Sequence, residues 1–267
     1  MLHLVDNKYW HFFWQARKIH LMRTLEYRAN FVFWTVTSIA WACFNFFFFG
    51  LLINVNNGFA GWSTFELYTV VAIYTMLDAF IWSVFHLNMQ AYTSSIFSGD
   101  LNTLLLKPID TQFLLMTQNN SYTNVARFLL GLTVLIYSLL QLGVVPSIWQ
   151  ILVFIFTFST GLVFLYNIWF MLSTLAFWVD KLDNINDILP SMDRIWQVPR
   201  GVFTGSASML FTFIFPLLLV TSLPSEVLLN KVTWPGPVYF FLVTCITALA
   251  SRFFFQYSIQ RYSGIAN

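Results

Sequence analysis

The stretch "FLLGLTVLIYSLLQLGVVPSIWQILVFIFTFSTGLVFLYNIWFMLSTLAFWV" (residues 128–179) contains no charged side chain. It is too long for a single crossing of a bilayer, since one membrane-spanning helix takes about 20 residues. Gly143 and Pro146 lie near its middle, where a turn is expected because proline removes a backbone donor and breaks a helix. The pattern therefore predicts a hairpin of two spanning helices, at residues 127–145 and 148–179.

The composition of the whole chain points to a multi-pass membrane protein. Of its 267 residues, 58% are hydrophobic and 9% are charged, and the mean hydropathy is +0.69. Soluble domains carry about 25% charged residues, and their surface must be largely wet. The net charge of +2 gives no indication of a nucleic-acid partner. Cys43 and Cys245 lie in apolar runs without a Cys-x-x-Cys spacing, which predicts buried apolar thiols and not a metal or redox site.

Four further apolar stretches bring the predicted number of membrane-spanning helices to six. These stretches are residues 31–53, 64–87, 203–223 and 235–255. The fold class expected is therefore an all-α integral membrane protein with one transmembrane domain over residues 1–267. No cleavable signal peptide is expected, because acidic, basic and aromatic residues alternate through the first 30 positions.

The basic residues predict the orientation of these helices. With six spans, every lysine and arginine except Lys231 falls on one side, including Arg127 and Arg200. Cytoplasmic loops are enriched in Lys and Arg, so both termini are predicted to be cytoplasmic. On that side the connections at 88–126 and 180–200 are longer than the outer ones at 54–63, around Pro146 and at 226–234.

Residues 9–28 are predicted to form an amphipathic helix in the cytoplasmic membrane interface. Three- and four-residue steps place aromatic and aliphatic residues on one stripe with cations beside it. The stripe consists of Trp10, Trp14, Leu21 and Leu25, and the flanking cations include Arg17 and Lys18. The alternative is a basic flank that only orients the first span.

The stretch "IFSGDLNTLLLKPIDTQFLL" (residues 96–115) is predicted to be a short cytoplasmic helix followed by a second apolar piece. Pro108 should end the helix at or just before Lys107. One apolar face would comprise Ile96, Leu101, Leu104 and Leu105, with Gly99 and Asp100 preceding Leu101. Such a face fits a groove on a partner protein and fits an interfacial loop that anchors the neighbouring spans equally well.

Two other connections carry charged residues or prolines. Residues 180–200 are rich in Asp, but they lack the Gly and the terminal Glu of a calcium loop, which favours a solvated cytoplasmic connection. In residues 215–237 the prolines make one unbroken helix improbable. Pro216, Pro224 and Glu226 are therefore candidates for a short helical dip at the outer surface, which would act as an outer gate.

No pattern of catalytic or metal-binding residues is found in the sequence. The phosphate-binding GxxxxGK[ST] motif, HExxH and the Gly-x-Ser-x-Gly elbow are all absent, and the four histidines are not spaced as metal ligands. Asp78 is the clear ionisable residue within a predicted span, and it should face protein or a cavity. Its expected partners are polar side chains such as Asn45 or Asn167. A role in substrate contact or proton transfer, and a role as a polar pin between helices, both remain open.

Two short motifs carry a resemblance to a known family. The first consists of Gly99-Asp100-Leu101, Leu104-Leu105 and Lys107-Pro108-Ile109, and the second of Pro216, Pro224 and Leu228-Leu229. They are similar to a G-[DE]-L…LL-[KR]-P-[LIV] stretch and a P…P…LL pattern in one branch of the ABC-2 type transporter permeases. With the order of the predicted helices, the chain resembles these permeases over essentially its whole length.

The resemblance implies a set of roles and partners. Residues 96–108 would be the coupling helix that contacts a cytoplasmic ATPase, residues 10–28 the connecting helix, and residues 222–237 a re-entrant outer element. Two permeases, identical or homologous, would pair with two ATPase subunits, which would bind ATP and Mg²⁺, while this chain would bind no cofactor. The expected function is export across a bacterial cytoplasmic membrane.

Two other classes of function are weighed against this one. A secondary transporter or channel without an ATPase should show several intramembrane charges or an inverted repeat, and neither is recognised. A membrane-embedded enzyme acting on lipid should show clustered His, Asp or Glu residues near one face, and the sequence shows none. The substrate itself is not indicated, beyond a slight preference for an apolar or amphipathic molecule.

Overall fold

A computed structural model describes the backbone of residues 2–56, 61–179 and 184–262, and the side chains of these except 2–7 and 52–56. The described residues are helical or irregular and include no strand. The helices are α1 (Leu2–Glu26), α2 (Arg28–Asn56), α3 (Thr64–Phe80), α4 (His86–Ser98), α5 (Leu101–Leu105), α6 (Thr111–Thr117), α7 (Val125–Gln141), α8 (Ile148–Thr174), α9 (Ile188–Ser191), α10 (Gly205–Met209), α11 (Leu219–Leu228) and α12 (Pro235–Arg261).

Four helices in the described ranges are long and apolar enough to cross a membrane. They are Arg28–Leu51, Thr64–Ser98, Ile148–Phe177 and Pro235–Arg261. The second is one continuous rod in which a π-helical turn, Ile81–Phe85, joins α3 to α4, so it extends beyond the predicted end at residue 87. Helix α7 is apolar but shorter. The prediction of an all-helical membrane protein is confirmed, with four or five candidate spans; six spans and their orientation stay predictions.

The predicted span at residues 203–223 is sharply bent and is not one straight helix. Gly205–Ile214 and Leu219–Leu228 are separate helical pieces whose axes meet at 86°. Pro216 lies in the break between them, and its missing N–H prevents the first piece from continuing. If the bent pair is counted as one span, it is the fifth candidate.

The turn predicted within residues 128–179 is present between α7 and α8; that both helices cross a membrane stays a prediction. Helix α7 ends at Gln141, Gly143 adopts a positive φ of 66°, and α8 begins at Ile148. Ser147 and Gln150 form a capping box, in which each side chain accepts from the other residue's backbone N–H at 3.3 and 2.8 Å. Gly143 and Pro146 thus mark a turn, as the sequence indicates.

Small residues allow close approach of helices in the interior. A Cβ atom on Gly131 of α7 would lie 2.9 Å from Met76 Cγ and 3.1 Å from the Ala72 carbonyl oxygen of α3. A Cβ atom on Gly161 of α8 would lie 3.3 Å from the Val220 carbonyl oxygen of α11. Such small-residue contacts are typical of helix packing in membranes.

The outer faces of α2 and α12 are apolar and exposed, as lipid-facing helices are. Cys43 on α2 and Cys245 on α12 are both free and exposed. The prediction that these thiols are buried is therefore wrong, because an apolar run in a membrane protein can face outward toward lipid as well as inward.

The chain after α8 corrects the prediction of a solvated connection at residues 180–200. Asp180, Lys181 and Asp183 lie outside the described residues. From residue 184 onward the segment packs inside the bundle: Asn186 is buried and donates to Thr93 Oγ1 of α4 at 2.8 Å, and Ser173 of α8 donates to Asn186 at 2.9 Å.

The same segment then passes between further helices. Asp193 accepts from the Tyr74 hydroxyl of α3 at 2.7 Å, and Gln197 donates to Asn45 Oδ1 of α2 at 2.8 Å. We call residues 184–200 the inserted segment. Irregular backbone is tolerated inside a membrane bundle where protein covers it, and here α2, α3, α4, α8 and α11 supply that cover.

Candidate functional site

A cavity of about 710 Å³ lies between α2, the π-helical turn, the start of α7 and the inserted segment. Its volume falls within the range of about 300–1,000 Å³ that is common for small-molecule sites. Much of its wall is aromatic, because five indole side chains line it. They are Trp34, Trp41, Trp82, Trp169 and Trp196.

A buried ion pair forms part of the wall of this cavity. Arg127 Nη1 lies 2.8 Å from Asp78 Oδ2, and only 6% and 11% of the two side chains are exposed. The expectation that Asp78 has only neutral polar partners is therefore wrong. Asp78 needs a counter-charge because an isolated buried carboxylate is costly.

The partner of Asp78 is positioned by the periodicity of α7. Arg127, Gly131 and Leu135 are all buried, at four-residue spacing on one face of that helix. This spacing is a signal in the sequence, since Gly131 marks the face of α7 that approaches α3. A prediction that treats Arg127 only as a charge flanking a span does not use this spacing.

The two asparagines predicted to contact Asp78 have other surroundings. Asn45 is buried and its side chain accepts from Gln197 while donating to the Trp41 carbonyl oxygen at 3.0 Å. Asn167 is buried, and its Nδ2 has no hydrogen-bond partner among the described residues. Asn45 therefore holds the inserted segment against α2.

Asp193 is a second carboxylate of the cavity wall, and it comes from the inserted segment. It accepts the hydrogen bond from Tyr74, and Arg194 Nε lies 3.8 Å away. The Arg194 side chain is 59% exposed and its Nη1 donates to Gln197 at 2.9 Å. The sequence predicts that Asp193 lies in a solvated loop. No local pattern in the sequence indicates that this loop folds inward.

The predicted gate residues Pro216, Pro224 and Glu226 lie in or next to α11, where two ion pairs are also found. Pro216 lies in the break before α11 and Pro224 lies within α11. Glu226 pairs with Arg200 at 2.7 Å, and nearby Lys231 pairs with Glu66, at the start of α3, at 2.8 Å.

The position of Arg200 corrects the predicted distribution of basic residues. Its backbone N–H donates to Ser222 Oγ at 2.9 Å, so it lies beside α11. The backbone of Lys231 in turn donates to the Glu226 carbonyl oxygen at 2.8 Å. Arg200 therefore lies near the end of the bundle that carries Lys231, and not near the opposite end.

The connection between α4 and α6 is not the single short helix that the sequence predicts, because Ile96 belongs to α4 and a separate helix follows it. Helix α4 continues through Ile96 to Ser98, and Gly99 then adopts a positive φ of 80° that ends it. The short α5 follows at Leu101–Leu105, and Pro108 lies beyond its end.

The predicted apolar face of this connection points inward. Ile96 and Leu101 are buried in the protein's own core, and Leu104 and Leu105 pack against that core half-buried. The predicted face is thus occupied within the chain. The exposed residues at this tip are Asp100, Asn102, Thr103, Leu106, Lys107 and Pro108, with Leu106 being 86% exposed.

Asp110 joins three elements directly after this tip. Its side chain accepts from the Phe113 N–H at the start of α6, and it forms an ion pair with Arg252 of α12. Its backbone N–H donates to the Tyr9 hydroxyl of α1 at 3.2 Å. Partial burial raises the pKa of Asp110, but hydrogen bonds from Arg252 and Phe113 outweigh it and hold the pKa below its ordinary value.

Helix α1 packs along α6 and the chain that follows it. The rings of Tyr9 and Phe113 are 5.0 Å apart, His20 donates to the Gln118 carbonyl oxygen at 2.6 Å, and the Tyr122 hydroxyl donates to the Arg17 carbonyl oxygen at 3.0 Å. The opposite face is exposed and includes Trp10, Trp14, Lys18, Leu21 and Leu25. Contact of this face with the membrane interface stays a prediction.

The geometry describes a helical, multi-pass membrane protein with an open cavity between its helices and a tethered tip. Among the described residues no group of three or more His, Cys, Asp or Glu side chains is placed to hold a metal ion. The family model described as "ABC-2 family transporter protein" matches residues 39–266. The chain therefore belongs to the ABC-2 transporter family, which confirms the resemblance seen in the sequence motifs.

Permeases of this family are transport components that are not themselves catalytic and that generally work with ATPase subunits. Comparison with curated proteins and with solved structures found no match.

Proposed function

We propose that this chain is the permease subunit of an ATP-driven exporter in a bacterial cytoplasmic membrane. It would form the substrate pathway with a second permease, identical or homologous, and two ATPase subunits would bind ATP and Mg²⁺ and hydrolyse the nucleotide. Membership of the ABC-2 family supports the transport class. The sequence contains no phosphate-binding loop, which favours a motor on a separate chain.

The observation that carries the proposal is the tip at residues 100–108. Leu104 and Leu105 pack against the core, while Asp100, Leu106 and Lys107 are left exposed. Leu101 is fully buried directly beneath them. A mixed apolar and charged surface on a rigid base suits a protein partner, because little conformational entropy is lost when it docks.

The tip is also connected to the rest of the bundle. Asp110, two residues after Pro108, contacts α1, α6 and α12, so a displacement of the tip would reach three elements at once. ATP-driven transport requires that the ATPase bind two states of the permease differently. We infer that Asp110 links the docking tip to the spanning helices.

Co-purification and ATPase stimulation test this function. The chain is expected to co-purify with a Walker-motif ATPase and to change its hydrolysis rate. Leu106→Asp should weaken this association by about tenfold or more, since an exposed apolar anchor at an interface contributes about 1–2 kcal/mol or more. A stable, transport-active chain that needs no ATPase would overturn the proposal.

Val145→Asp is the matched control. Val145 is 88% exposed, lies in the turn between α7 and α8, and is as apolar and accessible as Leu106. The control variant should keep full association and stimulation. Equal losses in both variants would indicate that a new charge harms the protein generally, and the docking surface would then not be at Leu106.

The buried ion pair favours a second candidate, a proton-coupled secondary transporter. Ionisable pairs inside a bundle commonly mark substrate or ion pathways, and Asp78 and Arg127 both line the cavity. In ATPase-free proteoliposomes this mechanism predicts accumulation driven by a pH gradient and its loss in Asp78→Asn. The ATP-driven proposal predicts no accumulation under those conditions.

A further inference from the structure

The charges around the cavity are unequally available to a bound molecule. Four charged residues line it, namely Arg23, Arg127, Asp78 and Asp193. Asp78 and Arg127 neutralise each other at 2.8 Å, and both side chains are almost wholly buried. This pair therefore contributes little net charge to the cavity.

Asp193 is the carboxylate that remains accessible. Its side chain is 28% exposed, and the Tyr74 hydroxyl occupies one of its oxygens as a neutral donor. Its closest cation, Arg194, is separated from Asp193 Oδ1 by 3.8 Å, does not line the cavity and is mostly exposed. The negative charge of Asp193 is thus only weakly compensated.

Arg23 does not cancel this charge. It belongs to α1 and its side chain is exposed, so solvent screens it at the edge of the cavity. Asp193 comes from the inserted segment, close to the indole of Trp196, where screening is weaker. The cavity therefore has a negative interior.

The indole rings favour the same sign of charge. Tryptophan is the strongest of the aromatic residues in attracting a cation to its ring face. The pocket surface combines five such indoles with one available carboxylate. Asp193 would repel an anion, and a neutral molecule would leave that carboxylate desolvated without a counter-charge.

We propose that this cavity binds a hydrophobic organic cation with a single positive charge. The charge lies against Asp193 and the apolar body lies against the tryptophans. This inference rests on the proposed function, because it assigns the substrate class of the same permease. Asp78 and Arg127 position the wall and do not contribute the charge that selects the ligand.

The test is equilibrium dialysis of the full-length chain in lipid nanodiscs, without an ATPase. The probes are tetraphenylphosphonium and tetraphenylborate, which have nearly the same shape and opposite charge, and empty nanodiscs correct for partition into lipid. Saturable binding is expected for tetraphenylphosphonium, and binding of tetraphenylborate no greater than that of empty nanodiscs.

Asp193→Asn removes the charge and keeps an oxygen that can accept from Tyr74. It should weaken tetraphenylphosphonium binding by about tenfold, since one partly screened charge contact is worth roughly 1–2 kcal/mol. Asp187→Asn is the matched control: Asp187 is an exposed acid of the same segment and does not line the cavity. That control should bind as the unaltered protein does.

A second pair of variants keeps the proposal testable if Asp193→Asn does not fold. Trp41→Leu should weaken binding, while Trp149→Leu, at an exposed indole outside this cavity, should not. Saturable tetraphenylborate binding, unchanged affinity in Asp193→Asn and Trp41→Leu, or no saturable binding of either probe would each overturn the proposal. Because no ATPase is present, a failure of the ATP-driven function would not affect these results.

Discussion

Arg127 supplies the counter-charge for a carboxylate that is buried between α3 and α7. It lies at the start of α7 and reaches Asp78 of α3, and its Nε atom is buried without a hydrogen-bond partner among the described residues. Removing one member of such a pair leaves the other charge buried alone, which costs more than the pair contributes. The stability of the α3 and α7 contact therefore depends on keeping both charges or neither.

Asp78→Asn is expected to lower the free energy of unfolding by about 3–5 kcal/mol, because Arg127 loses its counter-charge in a buried place. Thermal unfolding in detergent would measure the change. The double variant Asp78→Leu with Arg127→Met should recover most of the loss. Glu26→Gln, at an exposed acid of α1, should have little effect; a loss of similar size there would contradict the explanation.

Asp110 gives a prediction on pH. Its pKa is lowered in the folded protein, so its contact with Arg252 stabilises the fold at any pH above the unfolded pKa, which is about 3.9. That contribution is lost as the pH falls through the lowered folded pKa. Asp110→Asn should therefore be less stable than the unaltered chain at pH 7, and the difference should shrink toward zero in strong acid. A difference independent of pH would contradict this.

At the scale of the elements, the turn between α7 and α8 could be predicted and the inserted segment could not. Gly143 and Pro146 act locally on the backbone, so the turn is visible in the sequence. The position of residues 184–200 depends on partners far away in the chain, such as Asn45 and Tyr74. Polar side chains that are satisfied by distant helices look the same in a sequence as polar side chains that are satisfied by water.

The inward direction of the leucines in α5 has the same cause. Helical spacing correctly groups Leu101, Leu104 and Leu105, but spacing cannot say whether that group faces the chain's own core or a partner. The core behind Leu101 is built from helices that are distant in sequence. The surface that remains for a partner consists of Asp100, Leu106 and Lys107. None of these residues belongs to the apolar face that helical spacing predicts.

Gly131→Ala tests the close approach of α3 and α7. The added methyl carbon would lie 2.9 Å from Met76 Cγ and 3.1 Å from the Ala72 carbonyl oxygen, both closer than van der Waals contact. Overpacking of this kind costs about 1–3 kcal/mol, which a chemical unfolding curve would detect. Thr133→Leu enlarges an exposed position of the same helix and should be nearly neutral. Equal stability of both variants would show that the helices can separate freely.

On the scale of the whole molecule, polar groups are enclosed and apolar surface faces outward. The inserted segment gathers Asn186, Asp193 and Gln197 inside, while α2 and α12 present aromatic and aliphatic residues outside. The two helices that meet at the Pro216 bend, and the cavity, are part of the same bundle. This arrangement keeps the polar groups of the interior out of contact with lipid.

The exposed cysteines test this picture directly. Cys43 and Cys245 lie near the middle of α2 and α12 and face away from the bundle. In intact membranes they should react slowly with a water-soluble maleimide, because such a reagent does not enter the hydrocarbon core of the bilayer. A lipid-soluble maleimide should gain access to them, and detergent or unfolding should raise the water-soluble reaction. Rapid labelling of both in membranes by the water-soluble reagent would mean that these faces are wet.

These two thiols would also allow distances between two copies of the chain to be measured with spin labels. A spin label on Cys43 alone, with Cys245 replaced by Ser, would report the separation of equivalent α2 helices when two copies of the chain associate, and the reciprocal variant would do so for α12. If two copies pair as proposed, the two distances would identify the helix nearer their common axis.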